Sequence, residues 1–470
     1  LAGGERVPFH SLLLATGDAL PRVLHWGADL GEVSDAAAAE IESASVMPIV
    51  SGTPDEPFTL SVLPEQQAGW LATPGITGHR GGLDFSTAFA QTSQSVTHGG
   101  DDGGVPLAGT VTVAAADPAA GLALTWILQL TAQGLVRTRT TLTNTGTGVF
   151  DLGTLDTVLP LPREAGEILD FTGRHLRERS PQRHAFTAGT HLREVRRGRT
   201  HDGTLLMLAG VPGFGYRSGE VWGVHVAWSG NTRTFAEREM PSGQRVIGGG
   251  ELLLAGELRL AEGESYTSPW LLASYGTGLD ELSHRFHSYL RSRPEHPTTP
   301  RKSLINVWEA VYFDHDLATL KALADRAAQV GLERYVLDDG WFRHRRDDTA
   351  GLGDWYVDEE VWPEGLDPIV DHVTGLGLEF GLWFEPEMIN EDSDAARAHP
   401  EWILRVPSRM PRRSRNQQVL DLTNPEAWSY IFDRMHAILG AHRIGFVKWD
   451  HNRDLFDAGR QATGTAGVHE

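Results

Sequence analysis

Gly445-Phe-Val-Lys-Trp-Asp-His-Asn452 continues a short apolar run from Ile444, interrupted by one lysine and closed by a carboxylate. Read as a strand, it places Phe446, Lys448 and Asp450 on one face and Val447 and Trp449 on the other. A lysine and an aspartate buried side by side are costly unless they pair. The ammonium would then keep Asp450 ionised, because a nearby opposite charge lowers a carboxyl pKa. An ionised carboxylate held at the mouth of a sheet suits a nucleophile; a structural ion pair is the alternative. Lysine occurs only at 302, 321 and 448, so a chain that otherwise uses arginine has kept an ammonium here.

Outward from this stretch the same ending recurs. Residues 304–308, 334–338, 378–384 and 419–422 read as strands, and 317–330, 366–376, 393–398 and 425–439 as helices. The last helix is capped by Asn424 with proline at its first position. Alternating strands and helices with apolar strands predict a parallel sheet. Carboxylates and tryptophans collect where the strands stop: Trp308-Glu309, Asp338-Asp339-Gly-Trp341, Trp383-Phe-Glu-Pro-Glu387 and Asp450. A (β/α)8 barrel builds its active site from the C-terminal ends of its strands. Carboxylates accept hydrogen bonds from hydroxyls, and indole faces cover the apolar face of a sugar. That joint pattern suits a neutral polyhydroxylated ligand. Taken singly, Trp341 and Trp402 read as packing, and Asp338-Asp339 could equally be a helix cap or a pair of metal ligands.

Before residue 292 the rhythm is different. Runs at 122–130, 136–144 and 221–228, punctuated by Thr145-Gly146 and Ser229-Gly-Asn231, predict an all-β sandwich. A helix over 279–290 closes it, with Leu282, Phe286 and Leu290 on one face. The stretch Ser292-Arg-Pro-Glu-His-Pro-Thr-Thr-Pro300 cannot lie inside a helix or a central strand, and reads as a linker. The expected organisation is a β domain with its closing helix over 1–291, a linker over 292–303 and the β/α part over 304–470.

Composition narrows the function classes. A formal net charge of −21 argues against binding a phosphate backbone. With no cysteine there is neither a disulfide framework nor a thiolate metal site, which suits a cytoplasmic protein. No apolar run is long enough to span a membrane, and no signal peptide is visible at the start. No cofactor or metal is expected.

Five motifs carry a resemblance: Asn306-Val-Trp-Glu-Ala310, Leu337-Asp-Asp-Gly-Trp341, Gly381-Leu-Trp-Phe-Glu-Pro-Glu-Met388, Arg415-Asn-Gln417 and Val447-Lys-Trp-Asp-His-Asn452. In order and spacing they resemble the α-galactosidases of glycoside hydrolase family 36, the melibiase-like enzymes. Arg193-Glu-Val-Arg-Arg-Gly198 and Trp228-Ser-Gly-Asn231 are similar, more weakly, to that family's N-terminal β-supersandwich. The resemblance implies a multidomain protein, a supersandwich followed by a (β/α)8 TIM-type barrel, that hydrolyses terminal α-galactosyl groups with retention. It implies Asp450 as nucleophile, Asp338 and Asp339 as grips on galactose hydroxyls, and Lys448 and Asn452 as further hydroxyl contacts. It also implies Arg415 as a ligand-side support, Trp308 and Trp383 as pocket walls, and a homo-oligomer acting on a small galactoside. The family's acid/base aspartate lies in a glycine-rich segment after the nucleophile, and nothing like it occurs here. Only about five β-type runs follow the linker where a closed barrel needs about eight. The expectation is therefore that about the first half of the barrel is present and that the acid lies beyond residue 470. The alternatives are an α-N-acetylgalactosaminidase or galactosyltransferase on the same scaffold, or a sugar-binding protein without hydrolysis.

Overall fold

The structure, a computed structural model, describes residues 11–49, 51–52, 54–199, 206–240, 242–457 and 459. The chain divides into two compact units between His296 and Pro297, inside the proline-containing stretch.

The first unit is built from antiparallel sheets. Its largest has 11 strands among the described residues, and Leu122–Thr131 and Val136–Asn144 lie next to each other within it. Alternation explains the pairing: Leu122, Leu124, Trp126 and Leu128 are buried on one face of the first strand, opposite Asn144, Leu142, Thr140 and Thr138 of the second. A four-stranded sheet includes Thr157–Leu161 and Arg245–Glu251, and a three-stranded one is centred on Phe150–Leu155. Trp126, Phe150, Leu159, Trp222 and Ile247 belong to one core, so the sheets bury their apolar faces against a common interior.

Two helices of this unit depart from the sequence reading. Asp35–Ser45 is helical, with the Ser34 hydroxyl accepting from the Ala37 N–H, yet buries none of its side chains. Its alanine run offers no apolar stripe for periodicity to find. Leu279–Ser292 forms as expected, but its buried residues are Leu282, Arg285 and Tyr289, while Leu290 is exposed. Four-residue steps drift by about 40° each on a helix, so two steps turn Leu290 out of the face that Leu282 defines.

The second unit contains a four-stranded parallel sheet in chain order: Leu304–Asn306, Arg334–Leu337, Glu379–Phe384 and Phe446–Trp449. Helices Leu317–Gln329, Asp367–Gly375 and Pro425–Ala441 alternate with these strands, and Asn424 caps the last through the Glu426 N–H. Tyr335, Leu337, Phe380 and Leu382 are fully buried in the core these elements share. Close approach of the last two strands needs Gly381, where a Cβ would lie 2.9 Å from Phe446 Cδ1.

Two expected strands differ. The first parallel strand ends at Asn306, and Trp308 instead opens the short helix Trp308–Val311. Of the run expected at 419–422 only Val419 lies in a strand, Gln417–Val419, which pairs antiparallel with Met388–Asn390 outside the parallel sheet. Val419 and Leu420 are buried in the core of the second unit and Leu422 packs against it, so the apolar character that suggested a sheet strand comes from burial beside the parallel sheet and not within it.

Candidate active site at the ends of the parallel strands

Parallel register brings the sequence-distant acidic groups together. Leu337 is opposite Leu382, and Phe384 is opposite Trp449. The next residues are Asp338 on the second strand, Glu385 on the third and Asp450 on the fourth. The Asp450 N–H donates to the Phe384 carbonyl at 2.8 Å, which ties the two strand ends.

Asp450 is held by three donors. Its Oδ2 accepts from Asn452 Nδ2 at 2.7 Å and from Trp383 Nε1 at 3.0 Å, and its Oδ1 accepts from the His451 N–H at 2.9 Å. Burial pushes the carboxyl up, but these bonds and the charge of Lys448 outweigh it and hold Asp450 below the ordinary aspartate value. It is therefore an ionised carboxylate at neutral pH.

The lysine does something other than the expected pairing. Lys448 Nζ sits 2.6 Å from Asp338 Oδ2, and its charge is a smaller influence on Asp450 than the hydrogen bonds. Asp338 lies two strands away, and neighbouring strands are about 4.8 Å apart. The four-carbon stem lets the ammonium cross the intervening strand.

Asp338 and Asp339 are both buried, and both are already engaged. Asp338 Oδ1 accepts from the Asp339 N–H at 2.9 Å. Asp339 is gripped by both ends of the Arg345 fork, Nε at 2.9 Å and Nη2 at 2.8 Å. Arg345 is fully buried and also donates to Asn390 Oδ1 at 3.1 Å and the Ala350 carbonyl at 3.0 Å. Burial pushes the Asp339 carboxyl up against the pull of Arg345. The two aspartates are thus unlike: Asp338 meets the partly exposed side chain of Lys448, whereas Asp339 is fixed to a buried guanidinium. Sequence reading missed Arg345; the signal was the cationic run Arg343-His-Arg-Arg346, which begins four residues after Asp339.

The tryptophans also divide. Trp383 is 1% exposed and packs near Phe342 and Trp355, so it is no open wall; its indole N–H is the part that reaches Asp450. Trp308 is half-buried, edge-on to Tyr312 and Phe313. Trp341 and Trp402 are packed inside, in keeping with their reading as packing residues. Trp449 is 55% exposed and donates from Nε1 to Glu387 Oε1 at 2.8 Å. Arg415 is exposed on a left-handed backbone, and its charge is felt at Asp339.

Substituting Asp338→Ala in the full-length protein is expected to cost about tenfold or more in kcat/KM on a bound polyol substrate. A charge-assisted hydrogen bond is worth roughly 1.5–3 kcal/mol, and Lys448 loses its partner as well. Unchanged kcat/KM in a folded variant would remove Asp338 from the site.

Carboxylates at neighbouring strand ends, one of them held by neutral donors, make the C-terminal ends of the parallel strands the candidate site of this β/α scaffold. The comparisons place it. Residues 19–261 match the glycosyl hydrolase family 36 N-terminal domain, and residues 265–469 match the melibiase domain. The chain belongs to glycosyl hydrolase family 36. It is 38% identical over 450 residues to an α-galactosidase of Escherichia coli, covering 94% of this chain and 61% of that protein. It is 37% identical over 291 residues to the α-galactosidase AgaA of Geobacillus stearothermophilus, covering 61% of this chain and 40% of that one. A solved structure of an AgaA variant in complex with raffinose superposes with a TM-score of 0.88 at 27% identity, covering 97% of this chain and 66% of that one. The chain thus spans about three fifths of the length of the E. coli relative.

Proposed function

We propose that the protein is a retaining α-galactosidase that removes terminal α-D-galactosyl groups from oligosaccharides such as melibiose or raffinose. The observation that carries the reading is the geometry of Asp450, at a strand end and held by Asn452, Trp383 and the His451 N–H, bonds that keep its carboxyl below the ordinary aspartate value. Family membership and the raffinose and stachyose bound to the Geobacillus relatives support the substrate class. The scaffold belongs to the same proposal: a supersandwich, then a (β/α)8 barrel of which four consecutive strands are seen in chain order without reversal.

In this mechanism Asp450 attacks the anomeric carbon as the glycosidic bond breaks, and a second carboxyl group protonates the departing oxygen. A galactosyl ester forms; water activated by the same second group then releases galactose with its α configuration. The general acid is not assigned to any residue described here. Asp338 and Lys448 are placed to bind sugar hydroxyls, as acceptor and donor. A homo-oligomer and a cytoplasmic location complete the proposal; the latter rests on the cysteine-free composition.

The test is proton NMR of the full-length protein hydrolysing p-nitrophenyl α-D-galactoside, with the α-2-acetamido analogue in parallel. α-Galactose as first product, and preference for the galactoside, are expected. β-Galactose first overturns retention. Preference for the acetamido sugar favours the N-acetylgalactosaminidase alternative. Transfer to a sugar acceptor in place of hydrolysis favours the transferase, and binding without turnover favours the sugar-binding protein.

A further inference from the structure

Glu385 follows the third parallel strand directly, as Asp450 follows the fourth. It is fully buried, and among the described residues no lysine or arginine is bonded to it. Burial pushes its carboxyl above the ordinary glutamate value, and the charges of Asp450 and Asp339 push it further, against its bonds from Asn452. A carboxyl group kept beside two others without a cation is costly, so its contacts matter. Oε1 accepts from the Asn452 main-chain N–H at 2.5 Å, and Oε2 accepts from Gln417 Nε2 at 3.1 Å. Asn452 turns its other donor, Nδ2, onto Asp450 Oδ2 at 2.7 Å. One residue therefore bridges the two carboxyl groups.

We infer that Glu385 is a positioning residue for the reaction: by anchoring Asn452 it sets the orientation in which Asp450 meets the sugar. The inference rests on the reading of Asp450 as nucleophile. Glu385 never touches substrate in this arrangement; it acts through the 450–452 turn. The geometry also says which replacement preserves the function. Gln417 Oε1 has no hydrogen-bond partner. If the Gln417 amide turns over, a glutamine at 385 can accept from the Asn452 N–H and donate to Gln417. A glutamine thus keeps both contacts and removes only the charge, whereas an alanine removes both contacts.

The experiment compares Glu385→Ala and Glu385→Gln in the full-length protein, each alone and combined with Asn452→Ala. Glu385→Ala is expected to lower kcat by about tenfold or more, the scale of one lost charge-assisted bond, with KM changed much less. Glu385→Gln is expected to restore most of that loss. On the Asn452→Ala background the Glu385→Ala cost is expected to shrink, because residues acting as a unit are not additive. A kcat for Glu385→Ala near wild type, no rescue by glutamine, or an undiminished cost on the Asn452→Ala background would each overturn the inference. A crystal structure of Glu385→Ala gives a readout that needs no activity: Asn452 Nδ2 should leave hydrogen-bonding distance of Asp450, and its retention there overturns the proposal. Inactivity of the wild type on every α-galactoside would fault the functional reading, leaving the structural readout to decide this one. Should Glu385→Ala not fold, Glu385→Asp, one methylene shorter, carries the same comparison.

Discussion

Glycine in place of Asp450 is expected to abolish hydrolysis of aryl α-galactosides by the full-length enzyme, with a fall in kcat on the order of 10⁴-fold or more, the scale of losing a covalent nucleophile. The reason lies in the bonds that hold this carboxylate. Asn452, Trp383 and the His451 N–H all donate to it, and together with Lys448 they overcome the cost of its burial. A nucleophile must be ionised while its partner acid holds a proton, and an environment of donors secures the first condition. Glycine leaves a space lined by those donors. Azide entering that space should attack an activated α-galactoside and give β-galactosyl azide, detected by NMR. A folded variant with near-normal hydrolysis would assign Asp450 to a structural role.

The second large effect concerns stability. Arg345→Leu is expected to destabilise the fold by about 3–5 kcal/mol, the usual cost of stripping one partner from a buried ion pair. Arg345 is fully buried, grips Asp339 with two bonds, and also holds Asn390 and the Ala350 carbonyl. Urea unfolding of wild type and variant measures the loss. Adding Asp339→Asn to Arg345→Leu should recover part of it, because the orphaned charge is then gone. A loss below about 1 kcal/mol, typical of exposed pairs, would show that water reaches this pair in solution.

The pair also marks where sequence reading stopped short. The resemblance implied Asp339 beside Asp338 as a grip on substrate, with one role for both residues of the motif. That inference treats neighbours in sequence as equivalent. Burial separates them: Asp338 faces an ammonium whose side chain is 32% exposed, and Asp339 a guanidinium with no exposure. The partner Arg345 lies only six residues on, yet in a loop whose path no periodicity describes.

Strand and helix order from residue 304, apart from the run at 419–422 and the end of the first strand, the division near the prolines and the gathering of acids at strand ends were legible in the sequence. Each depends on local pattern: apolar runs of strand length, an Asn-Pro helix start, and proline's exclusion from regular interiors. The motifs around Asp338, Trp383 and Asp450 are equally local. What only the tertiary structure decided is pairing. Lys448 was expected to pair with Asp450, its neighbour on the same strand face; it pairs instead with Asp338, 110 residues earlier, and acts on Asp450 through its charge alone. Trp383 was expected to present a ring face and instead buries its ring and offers one N–H across 67 residues. Glu385 stood in a quoted motif without a role until the register of adjacent strands put it against Asn452. Sequence spacing determines which face of a strand a side chain occupies; which charge it meets there depends on the order of strands in the sheet and the reach of the side chain across them.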